Sequence, residues 1–142
     1  MIPVHKADLI LNQKFPFFGT ELISIDESMG RVLAENIICD RDLPPFDRVA
    51  MDGIAIDYKT YHSGFTSFPI EDIQKAGDPS KKLVNPHNCM EVMTGSVLPI
   101  ATDTVIKFEN LKITDNVAMI NENAEIKRNQ NIHFKGSDKL KG

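Results

Sequence analysis

Two carboxylates five residues apart carry the first chemical signal in this sequence. They are Asp47 and Asp52, set in Leu43-Pro44-Pro45-Phe46-Asp47-Arg48-Val49-Ala50-Met51-Asp52-Gly53. The paired prolines stiffen the approach and Gly53 permits a sharp backbone exit, so a rigid loop can aim a carboxylate outward. A hard oxygen donor of this kind suits Mg²⁺ or the activation of water. From spacing alone the same segment also reads as an ordinary Asp-Gly turn. A second candidate is Met93-Thr94-Gly95-Ser96, following an apolar run, where a hydroxyl and exposed amides at a turn could hold an oxyanion. Its simpler reading is a turn that ends a strand. Glu109, closing the run Val105-Ile106-Lys107-Phe108, is a third candidate carboxylate or simply an exposed strand residue.

Other chemistries find no support. The sequence has neither GxxxxGK[ST] nor GxGxxG, so nucleotide chemistry is not local to this chain. Four scattered His without a GxSxG elbow do not make a hydrolase triad, and the lone pair His87 and Cys89 is weak evidence for a metal. Cys39 and Cys89 lie fifty residues apart with no CxxC spacing, which argues against a disulfide scaffold and for a reducing compartment. A formal charge of -4 gives no electrostatic footprint for nucleic acid. The basic residues Lys81, Lys82, Lys127, Arg128, Lys135, Lys139 and Lys141 read as solvated surface. The N-terminus lacks the layout of a signal peptide and no apolar stretch has membrane-spanning length, so we expect a cytoplasmic protein.

The elements that must position these residues follow from periodicity. Pro3 can open a helix, and Val4, Ala7, Ile10 and Leu11 continue it over residues 4–12. Phe15-Pro16-Phe17-Phe18-Gly19 breaks it, residues 20–25 alternate as a strand or extended entry, and Asp26 caps one helical turn ending at Gly30. Residues 31–39 read as extended up to a domain border at Asp40-Arg41-Asp42-Leu43-Pro44-Pro45. Strands are expected over 54–56, 65–70, 89–93, 104–108, 117–120 and 126–132, separated by turn clusters such as Ala76-Gly77-Asp78-Pro79 and Thr114-Asp115-Asn116. With eight Pro, eight Gly and no Trp, the chain should be mainly β with a short N-terminal helix, forming a compact barrel or sandwich. The ending Gly136 to Gly142 has no closing element, and the chain reads as part of a longer protein.

Together these segments resemble the MoeA and gephyrin E-domain family. The carriers are Leu-Pro-Pro-Phe-Asp-x-x-Ala-Met-Asp-Gly at 43–53, Gly30-Arg31-Val32-Leu33-Ala34-Glu35, Ala76-Gly77, Met93-Thr94-Gly95 with Pro99, Asp103-Thr104-Val105 with Glu109, and Asn131-Ile132 before Gly136-x-Asp138. The resemblance implies a molybdenum-cofactor enzyme, a molybdopterin molybdenumtransferase that inserts molybdate into adenylylated molybdopterin in a Mg²⁺-dependent step and releases AMP. It also implies a compact, barrel-like β-rich domain inserted in an elongated α+β first domain. Residues 1–38 would begin the first domain, 39–131 form the β-rich domain, and 132–142 return to the first. A downstream pterin-binding domain would complete the site, a homodimer would share it between subunits, and a molybdopterin adenylyltransferase would precede it in the pathway.

On this resemblance Asp52 and Thr94 are the catalytic residues, with Asp52 at the metal. Asp47, Arg48, Ser96, Glu109, His133 and Lys135 would bind substrate. The sequence departs from the family pattern twice: Arg48-Val49 stands where Asn-Ser is usual, and His133-Phe134-Lys135-Gly136-Ser137-Asp138 replaces a stretch rich in Arg that ends Gly-Glu-Asp. The fragment alone is expected to be inactive. The alternative is a scaffold or binding module of the same fold without catalysis.

Overall fold

The computed structural model describes residues 2–14 and 18–142. Two compact units divide the chain, Met1–Ile37 and Ile38–Gly142. In the first, helix α1 spans Val4–Gln13, one residue beyond the expected end, with Pro3 at its N-cap position. None of its side chains is buried. The break expected at Phe15-Pro16-Phe17 lies outside the described residues. No strand forms over 20–25. A 3-10 turn occupies Ile25–Glu27 instead, with Ser24 and not Asp26 at its N-cap position. The Ser28 hydroxyl donates to the Ile25 carbonyl, and Gly30, at φ +79°, supplies the left-handed turn that follows. Residues 31–37, expected to be extended, join no sheet and bend at Glu35.

The second unit carries the β structure. Its strands are β1 (Arg48–Val49), β2 (Gly53–Ile56), β3 (Ser67–Gln74), β4 (Cys89–Val92), β5 (Thr104–Lys107), β6 (Leu111–Thr114), β7 (Val117–Ile120) and β8 (Ile132–His133). Six form one curled sheet in the order β5-β2-β4-β3-β7-β6, and β1 pairs with β8. All neighbours are antiparallel except β3 and β4. Mainly β structure with one short N-terminal helix matches the sequence expectation.

Alternation along the central strands explains the core. Ile54 and Ile56 point to one face with Phe68, Cys89, Ile106 and Ala118, while Ala55 points to the other with Val49, Met90, Val92 and Val105. Both faces are covered, so β2 is buried at every position and reads as a continuous apolar run. Burial pushes the Cys89 thiol up to about 12, and its Sγ donates to the Phe68 carbonyl at 3.6 Å.

Several local readings differ from the sequence expectation, the unanticipated β1 and the 3-10 turn Phe108–Asn110 among them. Helix α2 (Tyr58–His62) was not anticipated, although Asp57 caps it by accepting from the Lys59 N–H at 3.0 Å. Strand β6 was also missed. It forms a hairpin with β7 through Asp115 and Asn116, at φ +50° and +62°, which is the type I′ geometry that matches strand twist. The 126–132 strand shrinks to Ile132–His133, because left-handed Asn129 and Asn131 break the extended run. Finally, β3 runs on to Gln74 and skips a residue of register near Glu71. The Glu71 carboxylate accepts from the Val84 and Asn85 N–H groups and from Asn88, and these bonds, led by Val84, lower its acidity range.

Candidate functional site

Gly53 is the residue that lets the site close. A Cβ there would lie 1.9 Å from the Ile106 carbonyl oxygen and 2.8 Å from the Lys107 Cα. Only glycine therefore allows β2 to approach β5 closely in the register Gly53↔Lys107. Directly before it, the Asp52 carbonyl accepts from the Phe108 N–H at 3.1 Å, which ties the Asp52 backbone to the end of β5.

From the other side, the turn after β4 presents Thr94. The Ser96 N–H donates to the Met93 carbonyl at 3.0 Å, and Gly95 sits at φ +86°, as a type II turn requires at its third residue. Thr94 occupies the corner. Its backbone N–H and its hydroxyl both donate to Asp52 Oδ1, at 2.6 and 2.8 Å. The two donors, the backbone one foremost, hold the Asp52 carboxyl below the usual carboxylate range. Its Oδ2 accepts no hydrogen bond from a described residue and remains open. Asp52, Thr94 and Glu109 line one recess of about 230 Å³ together with Met51, Lys107 and Phe108.

The remaining candidates form a second group along residues 42–50 and 131–141. Arg48 and His133 are register partners, and the guanidinium donates to His133 Nδ1 at 2.9 Å. His133 Nε2 lies 2.7 Å from Asp138 Oδ1. Asp47 Oδ1 accepts from the Lys135 N–H at 2.9 Å, and Lys135 Nζ lies 3.4 Å from Asp42. Asp47, Arg48, His133 and Lys135 thus lace two stretches of chain together. Ser96 is wholly buried, and its hydroxyl has no hydrogen-bond partner among the described residues. The two groups are linked through backbone: Gly95 N–H donates to the Val49 carbonyl and Val49 N–H to the Ser96 carbonyl, both at 2.9 Å.

The sequence pattern described as the MoeA N-terminal region (domain I and II) matches residues 2–142. This chain belongs to the MoeA family. It is 41% identical over 138 residues to a molybdopterin molybdenumtransferase of Synechocystis, covering 97% of this chain and 35% of that protein. A Staphylococcus aureus molybdopterin molybdenumtransferase is 31% identical over 148 residues, covering 99% and 34% respectively. The crystal structure of a molybdopterin biosynthesis MoeA protein from Pyrococcus horikoshii superimposes with a TM-score of 0.80 at 31% identity, over the whole of this chain and 38% of that one. The chain therefore spans about a third of the length of the curated relatives it matches.

In this MoeA-family chain, sequence reasoning missed Lys107 as a lining residue. Its run Val105-Ile106-Lys107 reads only as a strand that ends in a charge. Its place opposite Gly53 depends on a strand register between segments about fifty residues apart, which periodicity does not encode. No described helix is long and apolar enough to cross a membrane.

Proposed function

We propose that this chain contributes one wall of a molybdopterin molybdenumtransferase site, with Asp52 as its catalytic carboxylate. The observation that carries the reading is the Asp52 carboxylate itself: Oδ1 is spent on two donors from Thr94, Oδ2 accepts from no described residue, and Asp52 lines a recess shared with Glu109. Such a carboxylate is ionised, aimed and rigid before any ligand arrives. The family membership and the relatives' printed activity support the assignment.

Among the described residues no three His, Cys, Asp or Glu side chains converge to hold a metal. Asp52 and Glu109, which line one recess, offer the one or two carboxylates that Mg²⁺ takes, its remaining positions going to waters and substrate phosphates. Asp52 would hold the ion, with Glu109 beside it. When bound, Mg²⁺ would neutralise charge developing on the scissile phosphate. Thr94 fixes the Asp52 oxygen, and Met51 and Phe108 line the recess beside it. In this reading adenylylated molybdopterin and molybdate are the substrates and AMP is released. The pterin is bound by a further domain of the whole enzyme, and a homodimer brings the two together across its interface. In the same reading residues 1–38 begin the first domain, 39–131 form the β-rich domain and 132–142 return to the first.

Complementation tests the reading. The full-length protein, wild type or Asp52→Ala, is expressed in cells lacking their own family enzyme, and active molybdoenzyme is measured. A folded Asp52→Ala protein that fails to restore activity supports catalysis. Full restoration sinks it and leaves the scaffold reading.

A further inference from the structure

The recess has six lining residues, and their chemistry divides unequally. Met51 and Phe108 are apolar, and Asp52 and Glu109 are anionic. Thr94 could serve an oxyanion, but its N–H and its hydroxyl proton are both committed to Asp52 Oδ1. Lys107 is what remains. Its ammonium makes no hydrogen bond or ion pair with another described residue, although two carboxylates line the same recess. Lys81, Arg128 and Lys135, by contrast, are each engaged by a carboxylate.

Position favours the same conclusion. Lys107 ends β5, whose three preceding residues are buried, so its backbone is held by the ladder and not by a mobile loop. The missing Cβ of Gly53 lets that backbone sit against the residue next to Asp52. Lys107 is half-buried and lines the recess together with Phe108.

We propose that Lys107 is the oxyanion-anchoring residue of this recess. It receives a tetrahedral oxyanion, either molybdate or the phosphate of an adenylate, within the recess that Asp52 also lines. The recess then offers carboxylates to a cation and one ammonium to an anion, the mixed polarity required to hold a metal and a dianion together. The proposal rests on the function proposed above for the recess, but it is tested by binding and not by turnover.

The experiment is an NMR titration of the isotope-labelled chain, following the Lys107 side-chain methylene and the Phe108 amide. Sodium molybdate and AMP are the separate probes, with sodium chloride at matched ionic strength as control. Saturable shifts at Lys107 are expected with molybdate, AMP or both, and the probe that produces them identifies the source of the oxyanion. Lys107→Met should weaken that binding roughly tenfold to a hundredfold, as loss of a charge-assisted hydrogen bond predicts. Lys107→Arg should retain it. Asp52→Asn, which removes a repelling charge, should tighten it. Absence of shifts with both probes, or unchanged affinity in Lys107→Met, overturns the proposal. If Asp52→Ala abolishes complementation while Lys107→Met binds molybdate normally, the function stands and this assignment falls. If Asp52→Ala complements fully, the function falls and the titration still decides Lys107.

Discussion

Arg48 and His133 stand directly opposite one another across β1 and β8, with 2.9 Å between the guanidinium and His133 Nδ1. Arginine only donates, so Nδ1 must accept, and the ring proton sits on Nε2, which donates to Asp138. The two segments singled out in the sequence as departures from the resemblance are therefore in contact, and the Arg48 side chain fixes the tautomer of His133.

Removing one partner should be felt in the other. Arg48→Met is expected to cost ~1 kcal/mol in urea denaturation, the net worth of a half-buried hydrogen bond. Nitrogen chemical shifts of His133 should report the Nε2–H tautomer in the wild type and a mixture in the variant. A dominant Nδ1–H form in the wild type would refute the assignment.

On the proposed function, Asp52 and Thr94 should separate in activity: in the full-length protein, Asp52→Asn is expected to lower adenylate hydrolysis by roughly 10²-fold or more. Thr94→Val should lower it by only about tenfold, because the backbone donor that contributes most to the lowered acidity of Asp52 survives the substitution. Losing the hydroxyl raises the Asp52 pKa, so the acid limb of the pH–rate profile should move upward in Thr94→Val and stay put in Thr94→Ser.

Gly53→Ala should not fold normally. The added carbon meets backbone atoms at 1.9 and 2.8 Å, and backbone cannot rotate aside as a side chain does. A loss of ~3 kcal/mol or more is expected. A melting temperature within a degree or two of the wild type would show that β2 and β5 are not held as closely as described.

Acid should loosen the Ile38–Gly142 unit through several carboxylates at once. Asp42 is lowered chiefly by the Lys141 N–H, Asp52 by Thr94, Glu71 by the Val84 and Asn85 N–H groups, and Asp72 by Lys81. A folded pKa below the unfolded one contributes stability above the unfolded value and loses it as pH falls through the folded value. With ordinary values of 3.8 for Asp and 4.5 for Glu, melting temperature should hold steady down to about pH 5 and fall below it. Glu71→Gln should flatten part of that fall, whereas a flat profile in the wild type to pH 3 would contradict the hydrogen bonds described.

The central strands were readable because their signal is local. Residues 54–56 and 104–107 are short apolar runs bounded by turn residues, and burial on both faces makes such runs continuous. Strand β6 was not readable, since Leu111-Lys112-Ile113-Thr114 gains its pairing only from a hairpin whose turn uses two left-handed residues. The loop Leu43 to Gly53 could be read as rigid and carboxylate-bearing, and Thr94 as a turn hydroxyl. What the sequence did not disclose is that Thr94 directs both donors at Asp52, or that Ser96, two residues on, is buried away from solvent. Those facts depend on how a turn after β4 docks against a loop before β2, a contact made across 42 residues of sequence. The resemblance to the family added the roles, and strand register decided which side chains share a recess.

Residues 39–50 and 131–142 are stitched along their length. Leu43 N–H donates to Lys139, Asp138 N–H to Leu43, Gly136 N–H to Pro44, Ala50 N–H to Asn131 and Gly142 N–H to Cys39. The two ends of the β body consequently leave it side by side, sealed by bonds of its own making. Pulling these two stretches apart would therefore break a row of backbone bonds at once, like a zip and not like a single rivet.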